Sequence, residues 1–193
     1  MRKKLQHAPG EHFLSVTTKV VNCPAYRVLG YASKALFFDL RAKVNGTNNG
    51  NIEAVLSNLK HKGWRSSATL ATALFELQAM GFLVKTRSGG IANSTRVCSL
   101  YSFTDLETYD QPKVGVHARK PTRDYLQYES VGEAQAALVA GVKKLREEAK
   151  TKAYGKKKQP QNLKLIASKS EVASQFTASE GEQGSHLKLQ KMK

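Results

Sequence analysis

Five histidines, His7, His12, His61, His117 and His186, are the side chains best suited to proton transfer near neutral pH. They are scattered, and none has a matched acid or nucleophile close in sequence, so no hydrolytic site is indicated. Asp105, Glu107 and Asp110 have the chemistry to share a divalent cation for strand cleavage, but three acids at the end of a hairpin more commonly mark a solvated turn. Cys23 and Cys98 stand far apart with no Cys or His at metal-ligand spacing, which argues against a disulfide framework or a zinc site and fits two thiols in a reducing cytosol. The glycine-rich stretches "SGG" and "GTNNG" lack the Gly-Lys-Ser or Gly-Lys-Thr ending of a phosphate-binding loop. The expectation is a protein without catalytic residues, metal or cofactor.

Charge is the stronger signal. The 193 residues carry 31 Lys and Arg against 15 Asp and Glu, a formal net charge of +16, so an anionic partner is expected, and nucleic acid is the commonest one. Residues 1–110 hold 14 basic and 7 acidic side chains and residues 111–193 hold 17 and 8, so both halves are basic. Within the first half, Arg65, Thr69, Thr72 and Glu76 recur at helical spacing. Arg grips guanine O6 and N7 with two hydrogen bonds, Thr bonds a base edge or touches a thymine methyl, and Glu accepts from cytosine N4. Ser66 and Ser67 stand where a helix start offers free amides to a phosphate, and Lys60 and Lys62 flank them. Lys85, Arg87 and Arg96 surround a loop of small residues, suited to a phosphate edge or to a narrow minor groove.

These side chains need elements to hold them. Leu29, Ala32, Leu36, Leu40 and Val44 recur at intervals of three or four, predicting one amphipathic helix from Tyr26 to Val44 after a short stretch of strand character at Phe13–Val21. "NGTNNGN" ends it, and Asn51 as cap with Ile52, Val55, Leu56 and Leu59 on one face predicts a short second helix. Gly63 breaks the pattern. A third helix follows over residues 66–80, capped by Ser66 or Ser67, with Leu70, Leu74, Leu77 and Met80 on one side and Gly81 as its stop. This spine turns Arg65, Ala68, Thr69, Thr72 and Glu76 outward, while Trp64 reads as a core plug. "FLVKT" and "TRVCSLYSF" predict two strands of a hairpin around "RSGGIANS".

Helix, helix, tight turn, helix and hairpin within about 80 residues is the layout of a winged helix-turn-helix domain. The segment "GWRSSATLATALFELQAMGFLVKTR" resembles bacterial, phage and mobile-element winged-helix DNA-binding proteins, with a polar helix start, a Leu-spaced helix, a Gly stop and an apolar strand leading to a basic wing. The resemblance covers roughly residues 24–103. It implies a mostly α fold with a small β-hairpin, helix 66–80 in the major groove of double-stranded DNA and hairpin 82–103 as the wing. A sequence-specific transcriptional regulator is the first functional expectation. A replication-initiation accessory that recruits a partner, and an RNA-binding component of a ribonucleoprotein, are the alternatives.

The chain divides into a partly ordered leader (1–23), the winged-helix domain (24–110), an extended arm or linker (111–129), an amphipathic helix (130–150) and a basic tail (151–193) too poor in large apolar residues to order itself. Ser130 and Glu133 form a capping box ahead of Ala134, Leu138, Val142 and Leu145. That helix is expected to serve a homodimer or a replication-protein partner. "MRKKLQHAPGEHF" has a basic start with no continuous apolar stretch after it, and no segment reaches the roughly 20 apolar residues of a membrane span. A cytoplasmic protein with no membrane association is therefore expected.

Overall fold

The computed structural model describes residues 13–92 and 94–158 of the chain, with side chains as far as Thr151 apart from Ala92. The leader before Phe13 and the tail beyond Lys158 lie outside the described residues. Among these residues the fold is mixed, with six α-helices and two small antiparallel sheets. The helices are α1 (Thr18–Asn22), α2 (Pro24–Arg27), α3 (Tyr31–Arg41), α4 (Leu56–Leu59), α5 (Ser67–Ala79) and α6 (Val131–Lys158). The strands are β1 (Ile52–Glu53), β2 (Leu83–Arg87), β3 (Gly90–Ala92), β4 (Thr95–Val97) and β5 (Leu100–Phe103).

Five expectations change. The loop expected after "FLVKT" contains β3, and the single strand expected over "TRVCSLYSF" is broken into β4 and β5, which belong to different sheets. Phe13–Val21 is not a strand; its second half begins α1, whose Val20 is buried. The single helix expected from Tyr26 to Val44 is two helices separated at Val28–Gly30 and finished by Arg41, because Gly30 takes an extended conformation (φ −64°, ψ 158°) and starts α3 as its N-cap. The helix expected from Asn51 is replaced at its front by β1. Ile52 pairs with Tyr101 and Glu53 with Leu100, leaving only Leu56–Leu59 and a 3₁₀ turn at Lys60–Lys62 helical. Finally, α6 continues past residue 150 to Lys158, into the span expected to be unstructured.

Asn49 explains the strand. Its buried side-chain amide receives the Phe103 N–H on Oδ1 (2.8 Å) and donates through Nδ2 to the Phe103 carbonyl (3.0 Å), holding the chain beside β5 before β1 begins. Gly50 follows with φ +98°, and a Cβ there would stand 2.7 Å from both Thr108 and Val116. The order of the larger sheet is thus β1-β5-β2, all antiparallel, with Leu83 opposite Phe103 and Lys85 opposite Tyr101. A register shift between Lys85 and Arg87 leads into the β3–β4 ribbon, where Ile91 faces Arg96.

The core lies between α3, α5 and the sheet. Phe37 meets Tyr26, Phe82 and Phe103 edge to face, with centroids 5.4–6.2 Å apart. Leu70, Leu74 and Leu77 of α5, with Met80 at its C-cap, enter the same core, as their spacing predicts. Residues 104–129 are an irregular arm held against the domain: Thr108 and Arg119 exchange backbone hydrogen bonds, and Tyr125 stacks on Phe82 at 4.9 Å and 9°. Ser130 caps α6 through the Glu133 N–H (3.2 Å), while the Glu133 carboxylate reaches back to the Glu129 N–H (3.1 Å), so the box forms one residue wider than its simplest version. Ala134 and Leu138 carry α6 into the core.

Candidate nucleic-acid interface

Helix α5 begins with its own cap. Ser66, in extended conformation, accepts the Thr69 N–H on Oγ (3.3 Å), so its hydroxyl oxygen satisfies one of the free amides of the first turn. Arg65, Ser66, Ser67, Ala68 and Thr69 are all exposed, while Leu70, Ala73, Leu74 and Leu77 are buried. The front of the helix therefore presents a polar ridge to solvent. A groove lined by Asp39, Lys62, Trp64, Arg65 and Thr69 runs between this ridge and α3.

Asp39 anchors the turn before the ridge. Its carboxylate accepts the Trp64 indole N–H on Oδ2 (2.7 Å) and lies 3.4 Å from the Lys62 ammonium on Oδ1. Trp64 is thereby both core plug and hydrogen-bond donor, with 8% of its surface exposed. Lys60, His61 and Lys62 are all exposed on the turn, and Lys62 is also paired with α3 through Asp39.

Two expected contact residues occupy other positions. Glu76 does not project from the ridge: its Oε2 accepts hydrogen bonds from Gly30 N (2.9 Å) and Ser33 Oγ (2.6 Å) at the start of α3. Gly30 has no side chain to cap that helix, so a carboxylate from α5 does it. Arg87 turns into the base of the hairpin and donates to the carbonyls of Cys98 (3.3 Å) and Val114 (3.4 Å), with its Nε buried and unpartnered. Lys85 and Arg96 are exposed, Lys85 on β2 and Arg96 at the ribbon, across from an Ile91 that is itself 77% exposed. The hairpin thus separates its cations into one that braces its base and two at its surface.

Thr72, one turn beyond the ridge, is half-buried, and its hydroxyl accepts from Arg146 Nη2 of α6 (3.2 Å). Arg146 was not legible as a partner, because the capping box announces the helix but not what it packs against. Asp105 is equally committed: it pairs with Arg41 through two hydrogen bonds of 2.8 and 2.7 Å. Among the described residues no cluster of three His, Cys, Asp or Glu is arranged to hold a metal ion, and no helix is long and apolar enough to cross a membrane.

Burial raises the pKa of the Cys23 thiol and of the Tyr26, Tyr101 and Tyr125 phenols. Cys23 donates to the Val20 carbonyl (3.0 Å) from inside the core, a position that shields it from reaction.

Comparison with known proteins finds no match to this chain among family models, curated proteins or solved structures.

Proposed function

We propose that this chain is a winged helix-turn-helix protein that binds double-stranded DNA in a sequence-selective way, and that it is not an enzyme. The observation that carries the reading is the exposed front of α5, residues 65–69, held outward by a buried leucine spine in a chain of net charge +16. From α3 onward the order α3, β1, α4, α5, β2 and β5, with the β3–β4 ribbon inserted between β2 and β5 and β1 lying beside β5, supports the winged-helix assignment. In this reading α5 enters the major groove by its N-terminal half, with Arg65 and Thr69 at base edges and Ser66 and Ser67 at phosphates. Lys60 and Lys62 line the same edge, and Lys85 and Arg96 form the wing contact. Glu76 and Arg87, being engaged inside the domain, take no part.

The cellular role we favour is transcriptional regulation, with origin binding in replication as the alternative on the same surface. A dimer through the apolar stripe of α6 is disfavoured, because Ala134 and Leu138 are already buried in the chain's own core.

Binding of the full chain to random-sequence duplex, structured RNA and single-stranded DNA, each measured at 50–200 mM salt, tests the class. Duplex preference with a steep salt dependence, and enrichment of one site from a random duplex pool, are the expected results. Preference for RNA, or no duplex binding at low salt, refutes the reading.

A further inference from the structure

The apolar side of α6 is consumed within the domain, and its seating is tight. Ala134 and Leu138 are buried, and a Cβ at Gly141 would stand 2.8 Å from the Cβ of Ala79 on α5, so only a glycine lets the two helices approach this closely. Five residues on, Arg146 reaches the Thr72 hydroxyl. Thr72 lies one helical turn from Ala68 and Thr69, on the same outward side of α5. Among the described residues Arg146 has no carboxylate within ion-pair distance, and one hydroxyl uses only one of its five N–H donors. A cation fixed in this way, beside an exposed polar ridge, keeps its charge and most of its donors available for an anion.

We infer that Arg146 is a nucleic-acid contact: α6 holds its guanidinium at the rear of the α5 ridge, where it grips a backbone phosphate of the duplex that the front of α5 enters. The inference rests on the duplex-binding reading and extends it to a helix outside the predicted interface. Thr72 then acts as a positioning residue that aims the guanidinium, rather than as a base reader. Lys144 supplies the internal control. It is exposed on α6 but two residues from Arg146, about 200° around the helix, and so faces away from that ridge.

The test uses the full chain and a random-sequence duplex, with affinity measured against salt. R146Q should lower the steepness of log affinity against log salt by about 0.9, the value for one released phosphate contact. R146K should restore most of it, and K144Q should leave it at the wild-type value. Thermal unfolding of R146Q should match wild type, since the side chain is exposed. Equal loss in R146Q and K144Q means a diffuse charge effect and overturns the inference; so does no loss in R146Q. If R146Q instead converts a dimer to a monomer in light scattering with its salt dependence intact, α6 is a protein interface and the inference also fails. In all these cases wild-type binding still supports the duplex reading, whereas absence of salt-dependent duplex binding in wild type removes that reading itself.

Discussion

The Glu76 carboxylate accepts a 2.6 Å hydrogen bond from the Ser33 hydroxyl, and with the Gly30 N–H on the same oxygen it closes the N-terminus of α3 from a neighbouring helix. A cap that belongs to another helix couples the two elements: the carboxylate reaches the start of α3 only when α5 is docked. Helix α5 is thus fixed at its front by Trp64 on Asp39 and toward its rear by Glu76 on α3, with the exposed ridge between. Both flanks of the ridge are hydrogen-bonded to α3 or its N-cap.

Replacing Glu76 by Ala should therefore destabilise the protein by about 1–2 kcal/mol, the range for losing a cap and a charge-assisted bond at a partly exposed site. Urea unfolding measures this. If Glu76 instead read a base, E76A would change site preference while leaving the urea midpoint in place, and that outcome would overturn its capping role.

The α5 spine was legible because Leu70, Leu74 and Leu77 repeat at helical spacing, and the stop at Gly81 because a left-handed residue follows (φ +73°). β1 was not legible. A strand of two residues has no period to detect, and its partner Tyr101 is distant in the chain. The same holds for the site. Arg65, Ser66, Ser67 and Thr69 are exposed as their helix phase predicts, whereas Glu76 and Arg87 have surface-like phase or composition but are bound to groups 46 and 11 residues away in sequence. Local periodicity reports which way a side chain points, not which distant group meets it there.

Arg41 and Asp105 define a second coupling. Their side chains are 7% and 11% exposed, the guanidinium also donates to the Ser15 carbonyl (3.3 Å), and its carbon lies 4.9 Å from the centre of the Phe103 ring. Removing one member leaves a nearly buried charge without its partner, so D105A should cost about 3–5 kcal/mol. The double variant R41M/D105L should be less destabilised than D105A alone, since it removes both charges. Chemical denaturation of the three proteins decides it; a D105A cost below about 1 kcal/mol would show that solvent already screens the pair.

Alkaline pH should weaken the fold. Burial holds the Cys23 thiol above its ordinary 9.0 and the Tyr101 and Tyr125 phenols above 10.0, so the folded chain keeps protons that the unfolded chain releases. Their contribution is complete below those ordinary values and is lost as pH rises through them toward the raised ones. The urea midpoint should be level from pH 7 to about 8.5 and then fall, and the fall should be shallower in Y101F. A midpoint that stays level to pH 11 contradicts this.

Arg65 offers the sharpest separation between reading a sequence and holding a backbone. It is exposed immediately before the α5 cap, and a hydrogen-bonding Trp64 fixes the chain leading into it. As a major-groove contact it should contribute to one base position, so R65A should weaken the preferred site by roughly 1–3 kcal/mol while moving affinity for random duplex far less. K85A, on the hairpin, should do the reverse: affinity for all duplexes drops together and the salt dependence flattens by about one contact. Parallel titrations of both variants on a selected site and on random duplex distinguish them. If R65A lowers the two affinities equally, Arg65 is a phosphate contact, and the base-reading role shifts along α5 to Ala68 and Thr69, which share its exposed side.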